Sequence, residues 1–140
     1  MMFRFRWIAS IVVVGLLVGC ATKQDFERLE KKADLLKAFD DDWDLFKELV
    51  DIFTSDYPGM LNTMREAYHS QDTETLSRTA HSLKGMLRNF QAEAAADTAF
   101  YLEKKAKEQK MEALDKTIDK LAKQTAAVDK LLQDLVSQKK

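Results

Sequence analysis

The sequence predicts an all-α protein: an antiparallel four-helix bundle with an extra N-terminal helix and an N-terminal membrane-targeting segment. Three observations carry this reading. Only four glycines and one proline interrupt 140 residues that are 46% hydrophobic and 32% charged, and abundant Ala, Leu, Lys and Glu favour helix over sheet. Apolar residues recur at spacings of three and four from Phe26 to Leu135, the period of an amphipathic helix. No run alternates convincingly with the period of two that a half-buried strand requires. The length allows one compact domain and a short extension, divided as 1–19 signal peptide or membrane anchor, 20–38 helical linker and 39–138 helical bundle.

Arg4 and Arg6 precede an apolar stretch from Trp7 to Val18, which ends in Leu17-Val18-Gly19-Cys20. A basic start with a short apolar core fits a secretory signal, because about a dozen apolar residues are too few to span a ~30 Å hydrocarbon layer. Leu-Val-Gly-Cys resembles a bacterial lipobox. That resemblance implies cleavage behind Gly19 and lipidation of Cys20, which would leave 20 basic against 23 acidic residues. Cys20 is the only cysteine, so an internal disulfide is excluded. The alternative for it is a buried or incidental thiol at the end of an apolar segment.

Phe26, Leu29, Ala33 and Leu36 predict a helix over residues 23 to 38, linking membrane to bundle. Asp42 is placed to cap the next helix, whose apolar face comprises Leu45, Phe46, Leu49 and Phe53 and continues through Met60, Leu61, Met64 and Ala67. Pro58 should kink or restart that helix, since its ring removes a backbone donor. The acidic residues Asp40, Asp41, Asp42, Asp44, Glu48, Asp51 and Asp56 are opposed only by Lys47; they read as a solvated helix start rather than a metal site, because no ligand loop gathers them. The polar run His69-Ser70-Gln71-Asp72 is a turn, with Asp72 or Thr73 capping the helix that follows. His69 reads as a solvated turn residue.

That following helix, from Thr73 to Phe90, carries a core face of Leu76, Thr79, Ala80, Leu83, Met86, Leu87 and Phe90. Its opposite face gathers Glu74, Ser77, Arg78, His81, Lys84, Gly85 and Arg88, since positions three and four apart stack on one side. His81 is therefore displayed to solvent. A neutral imidazole nitrogen is a nucleophile near pH 7, and a phosphoryl group placed on it remains transferable. Gly85 costs helix stability, so its place beside His81 suggests a surface kept flat for a partner.

Beyond Gln91, the residues Ala92, Ala95, Ala99, Leu102 and Ala106 form a small-residue stripe that allows close approach to the His81 helix, with Phe100 and Tyr101 as core and rim aromatics. Met111, Leu114, Ile118, Leu121, Thr125, Val128, Leu132 and Leu135 then make the seam of a last helix of about 28 residues. That seam also permits a coiled coil between copies. Four other amphipathic segments in need of a partner favour a monomeric bundle.

Ala80-His81-Ser82-Leu83-Lys84-Gly85 resembles the signature of histidine phosphotransfer (HPt) domains. The likeness extends upstream through Phe46 to Pro58 and downstream through Asn89-Phe90, the alanine-rich run and Leu102-Glu103, covering roughly residues 39 to 136. The resemblance implies a bundle of the HPt type that receives a phosphoryl group from one receiver-domain aspartate and passes it to another. It implies His81 as the carrier and Lys84 as stabiliser of the phosphate; Ser77, Arg78, Gly85 and Arg88 would form the docking face. The partners would be response-regulator receiver domains or a hybrid histidine kinase, and the receiver would supply Mg²⁺, the chain needing no cofactor of its own. One departure stands at Gln91, where the family commonly has glycine; if that position requires φ > 0, glutamine adopts it at some cost.

Other classes of function lack support. A net charge of −1 without a basic face argues against nucleic-acid binding. No glycine-rich phosphate cradle or nucleophile-base pair marks a kinase or another enzyme. The lipobox nevertheless places the domain outside the cytoplasm, whereas the resemblance implies partners phosphorylated from cytoplasmic ATP. An uncleaved anchor is one resolution, favoured by Lys23, Arg28, Lys31 and Lys32 outnumbering Arg4 and Arg6. Another is a lipid-anchored periplasmic binding module that reuses the HPt fold without phosphotransfer.

Overall fold

The computed structural model describes residues 34–35 and 37–137. The signal segment, Cys20 and most of the helix expected over 23 to 38 lie outside them. The described residues fall into two units that part between Asp41 and Asp42. In the first, residues 34, 35, 37 and 38 are helical and end in a turn in which Asp40 and Asp41 take φ of 53° and 59°.

The second unit contains four helices: α1 (Trp43–His69), α2 (Thr73–Asn89), α3 (Glu93–Lys107) and α4 (Leu114–Ser137). No strand occurs among the described residues. Short turns reverse the chain between successive helices. Packing runs around a square, α1 on α2, α2 on α3, α3 on α4 and α4 on α1, with the most extensive contact between α2 and α3. This is the expected four-helix bundle. No helix among the described residues is long and apolar enough to cross a membrane.

The helix starts follow from local chemistry. Asp42 accepts a hydrogen bond from Leu45 N at 3.0 Å, and Asp72 accepts one from Thr75 N at 3.0 Å; each satisfies a first-turn donor that has no partner within its helix. The helix ends share a second device. Gln71, Gln91 and Gln109 adopt φ of 59°, 57° and 58°, and the next residue donates back across the turn: Asp72 N to Ala67 O, Ala92 N to Leu87 O and Lys110 N to Lys105 O. These are three Schellman closures, each with glutamine at the position where glycine is favoured.

α1 departs from expectation in two respects. It runs unbroken through Pro58, because packing on both sides holds it: Phe46, Val50 and Phe53 are buried before the proline and Leu61, Met64 and Ala67 after it. Near the proline, Asp129 of α4 accepts from Thr54 Oγ1 at 2.5 Å and Tyr57 OH at 3.2 Å, bracing the one turn that lacks a backbone donor. The buried stripe is also rotated, with Val50 inside and Leu45 41% exposed. Phe90, just past α2, stacks edge-on against Phe46 at 6.1 Å and Phe53 at 5.6 Å, so it locks the end of α2 onto α1.

The small-residue stripe of α3 is buried as expected, with Ala95, Ala99, Leu102 and Ala106 all under 4% exposed. Phe100, expected in the core, is instead 46% exposed, because the smaller residues occupy the inner face. On α4 the seam of Leu114, Ile118, Leu121, Thr125, Leu132 and Leu135 is covered by the chain's own helices. Self-association is not needed to bury it.

Candidate functional site

α2 buries Leu76, Ala80, Leu83 and Leu87 along one line, and position 81 falls about 100° around the axis from Ala80. The His81 side chain is consequently 66% exposed. Its Nδ1 edge turns inward and lies 2.9 Å from Oε1 of Glu103 on α3. Glu103 itself is 4% exposed. Its Oε2 accepts from Lys84 Nζ at 2.7 Å and its Oε1 accepts from Lys107 Nζ at 2.8 Å.

Burial pushes the Glu103 carboxyl up, but hydrogen bonds from Lys107, Lys84 and His81, with the Lys84 charge, outweigh it and bring it down to about 2. At neutral pH it is a carboxylate, able only to accept. The imidazole nitrogen that faces it must carry a hydrogen, so neutral His81 holds its proton on Nδ1 and its lone pair on Nε2. Nε2 lies across the ring from Glu103. The arrangement thus fixes one tautomer and turns the nucleophilic nitrogen away from the core.

Two residues assigned to the exposed face are placed differently. Lys84 has a side chain only 11% exposed, and its ammonium sits 5.0 Å from the centre of the Phe100 ring as well as on Glu103. Ser77 is 8% exposed. Positions 77 and 84 are seven apart and share one line on the helix, the line over which alanine-rich α3 closes. Arg78, Gly85 and Arg88 are exposed. A Cβ at Gly85 would meet nothing within 4 Å, so no contact inside the protein requires glycine there. Beside the imidazole lies an open groove of about 450 Å³, lined in part by Thr73, Ser77, Arg78, Glu103, Lys107 and Gln109.

Glu103 and Lys107 are the residues that sequence reasoning did not assign to the site. A signal existed, since Glu103 stands between Leu102 and Ala106 in the stripe meant for close helix contact, where an unpaired carboxylate would be costly. Among the described residues no group of three His, Cys, Asp or Glu could hold a metal ion. His69 packs against Tyr68 at the end of α1, with ring centres 5.6 Å apart, and joins no such cluster.

The family model described as the Hpt domain matches residues 48–138 of the chain. Among solved structures, histidine-containing phosphotransfer protein B (HptB) from Pseudomonas aeruginosa PAO1 is similar in fold. It superposes with a TM-score of 0.68 at 24% sequence identity, over 79% of this chain and 94% of that one. No curated protein matches the chain.

Proposed function

The chain belongs to the Hpt-domain family, whose members carry phosphoryl groups and are not kinases, and from that premise we propose that His81 Nε2 is the carrier atom, loaded and unloaded by receiver domains. The observation that carries this reading is the 2.9 Å contact between His81 Nδ1 and the buried Glu103 carboxylate. With Nδ1 protonated, Nε2 attacks the phosphorus of a receiver's aspartyl phosphate; the N–P bond forms as the acyl O–P bond breaks, and the aspartate leaves as a carboxylate. The Nδ1 proton stays in place. The ring gains positive character as the bond forms, and Glu103 beside it offsets that charge at the moment it develops.

The receiver brings its own aspartate and Mg²⁺, and with them most of the catalysis. Lys84 acts at one remove. Bound to Oε2 and covered by Phe100, it holds the carboxylate in place. Arg78, Gly85 and Arg88 supply the exposed docking surface. Incubation with a phosphorylated receiver should label the wild-type chain and not His81→Gln; equal labelling of the two would overturn the assignment.

The Leu17-Val18-Gly19-Cys20 motif supports a second proposal, that the chain is membrane-attached through its N-terminus. Mass analysis of the protein from its native membrane separates the cases. A diacylglyceryl-modified N-terminal Cys20 supports export and the binding-module reading, whereas an intact Met1 or Met2 argues against lipoprotein export.

A further inference from the structure

Three ammonium or imidazole donors converge on the two oxygens of Glu103, and they differ in how free they are to leave. Lys84 is 11% exposed, while Lys107 is 65% exposed. If Lys84 swung away, a buried carboxylate would lose its shorter pairing and the ammonium would give up the Phe100 ring, a rearrangement that leaves charge stranded in a poorly solvated place. Lys107 has no such constraint. Its departure leaves Glu103 bound to Lys84 at 2.7 Å and to His81 at 2.9 Å.

Position also separates the two lysines. It shares Oε1 of Glu103 with the His81 ring and lines the open groove beside the imidazole, whereas Lys84 does not line that groove. A lysine is a compact charge on a flexible four-carbon stem with three donors, suited to following an oxyanion that arrives beside it. A dianionic phosphoryl group on Nε2 offers a stronger acceptor than the shared carboxylate oxygen, which is already satisfied by His81.

We propose that Lys107 is the cation that contacts the phosphoryl group on His81, moving from Glu103 to the phosphoryl oxygens when the group arrives, while Lys84 remains on the carboxylate. The assignment rests on His81 as the carrier. It transfers to Lys107 the stabilising role that the signature lysine was expected to play, and it makes the groove between α2 and α3 the phosphoryl side of the imidazole.

The test uses the full chain in detergent, phosphorylated with phosphoramidate; the P–N bond of the reagent breaks, ammonia leaves and the new bond forms at Nε2. The ionisation of the phosphoryl group is then followed by ³¹P NMR across pH 5 to 9. A cation in contact favours the dianion, so Lys107→Gln should raise the phosphoryl pKa by about half a unit, the size expected of one partly exposed ion pair, and Lys107→Arg should restore the wild-type value. An unchanged titration in Lys107→Gln overturns the proposal while leaving the carrier intact. A rise shared by Lys107→Arg also overturns it, because lost packing and not lost charge would then be responsible. Absence of any resonance that His81→Gln abolishes overturns the carrier assignment, and this proposal with it.

Discussion

Glu103 is the residue on which the site's chemistry and part of its stability both depend. Its folded pKa of about 2 lies below the ordinary 4.5, so it contributes stability that is fully present above pH 4.5 and is lost as pH falls towards 2. The contribution is on the order of 3 kcal/mol. Urea midpoints between pH 5 and 2 should fall steeply in the wild type, and this share of the fall should vanish in Glu103→Gln. That variant should also transfer phosphate at least tenfold more slowly, because a neutral amide neither enforces the Nδ1–H tautomer nor offsets ring charge. Gly85 makes the opposite trade. With nothing within 4 Å of an added Cβ, Gly85→Ala should raise stability by about 0.5–1 kcal/mol through helix propensity. If the flat surface serves a receiver, the same substitution raises the KM for phosphorylated receiver, so thermal melting and transfer kinetics should move in opposite senses.

At the scale of elements, the three glutamine closures are places where a side chain holds a conformation that favours glycine. Gln71, Gln91 and Gln109 each hold φ near 58°, a region that costs a side chain roughly 1–2 kcal/mol and glycine almost nothing. Gln91→Gly should therefore stabilise the domain by about 0.5–1 kcal/mol, less than the local strain because glycine also loosens the unfolded chain; a lower melting temperature would contradict it. The cost at position 91 is anticipated through the family resemblance, which sets glycine where this chain has Gln91, and the φ of 57° shows that the position is left-handed. The caps at Asp42 and Asp72 are legible, since both depend on neighbours within three residues. Continuity through Pro58 is not. It depends on α4, where Asp129 reaches Thr54 from 75 residues away, and one helix read alone carries no record of such a brace. Lys84 escapes for the same reason: its face is assigned correctly relative to His81, but which part of that face α3 covers is a property of two helices together.

For the whole molecule, α2 meets α1 through the Phe90 cluster and α3 through the His81–Glu103 site, which makes that aromatic packing and phosphotransfer separable. Phe90 lies 3% exposed between Phe46 and Phe53, joining α1 to the end of α2, and it takes no part in the hydrogen bonds that His81, Lys84 and Lys107 make to Glu103. Phe90→Ala should cost about 3–4 kcal/mol, the range for removing a buried ring from a packed core. In a bundle whose helices each pack on two neighbours, that loss should appear as one cooperative transition at lower temperature, with all four helices melting together. Well below that transition the His81–Glu103 pair is unaltered, so the fraction of chains labelled by a phosphorylated receiver in the cold should match wild type. His81→Gln should show the converse, with labelling abolished and the melting temperature changed little, because the side chain is 66% exposed. Circular dichroism melts and receiver labelling of the two variants check both halves. A Phe90→Ala protein that melts in two steps, or that remains folded in the cold yet fails to label, would mean that the aromatic cluster and the phosphoryl site are coupled and that the separation argued from their positions does not hold.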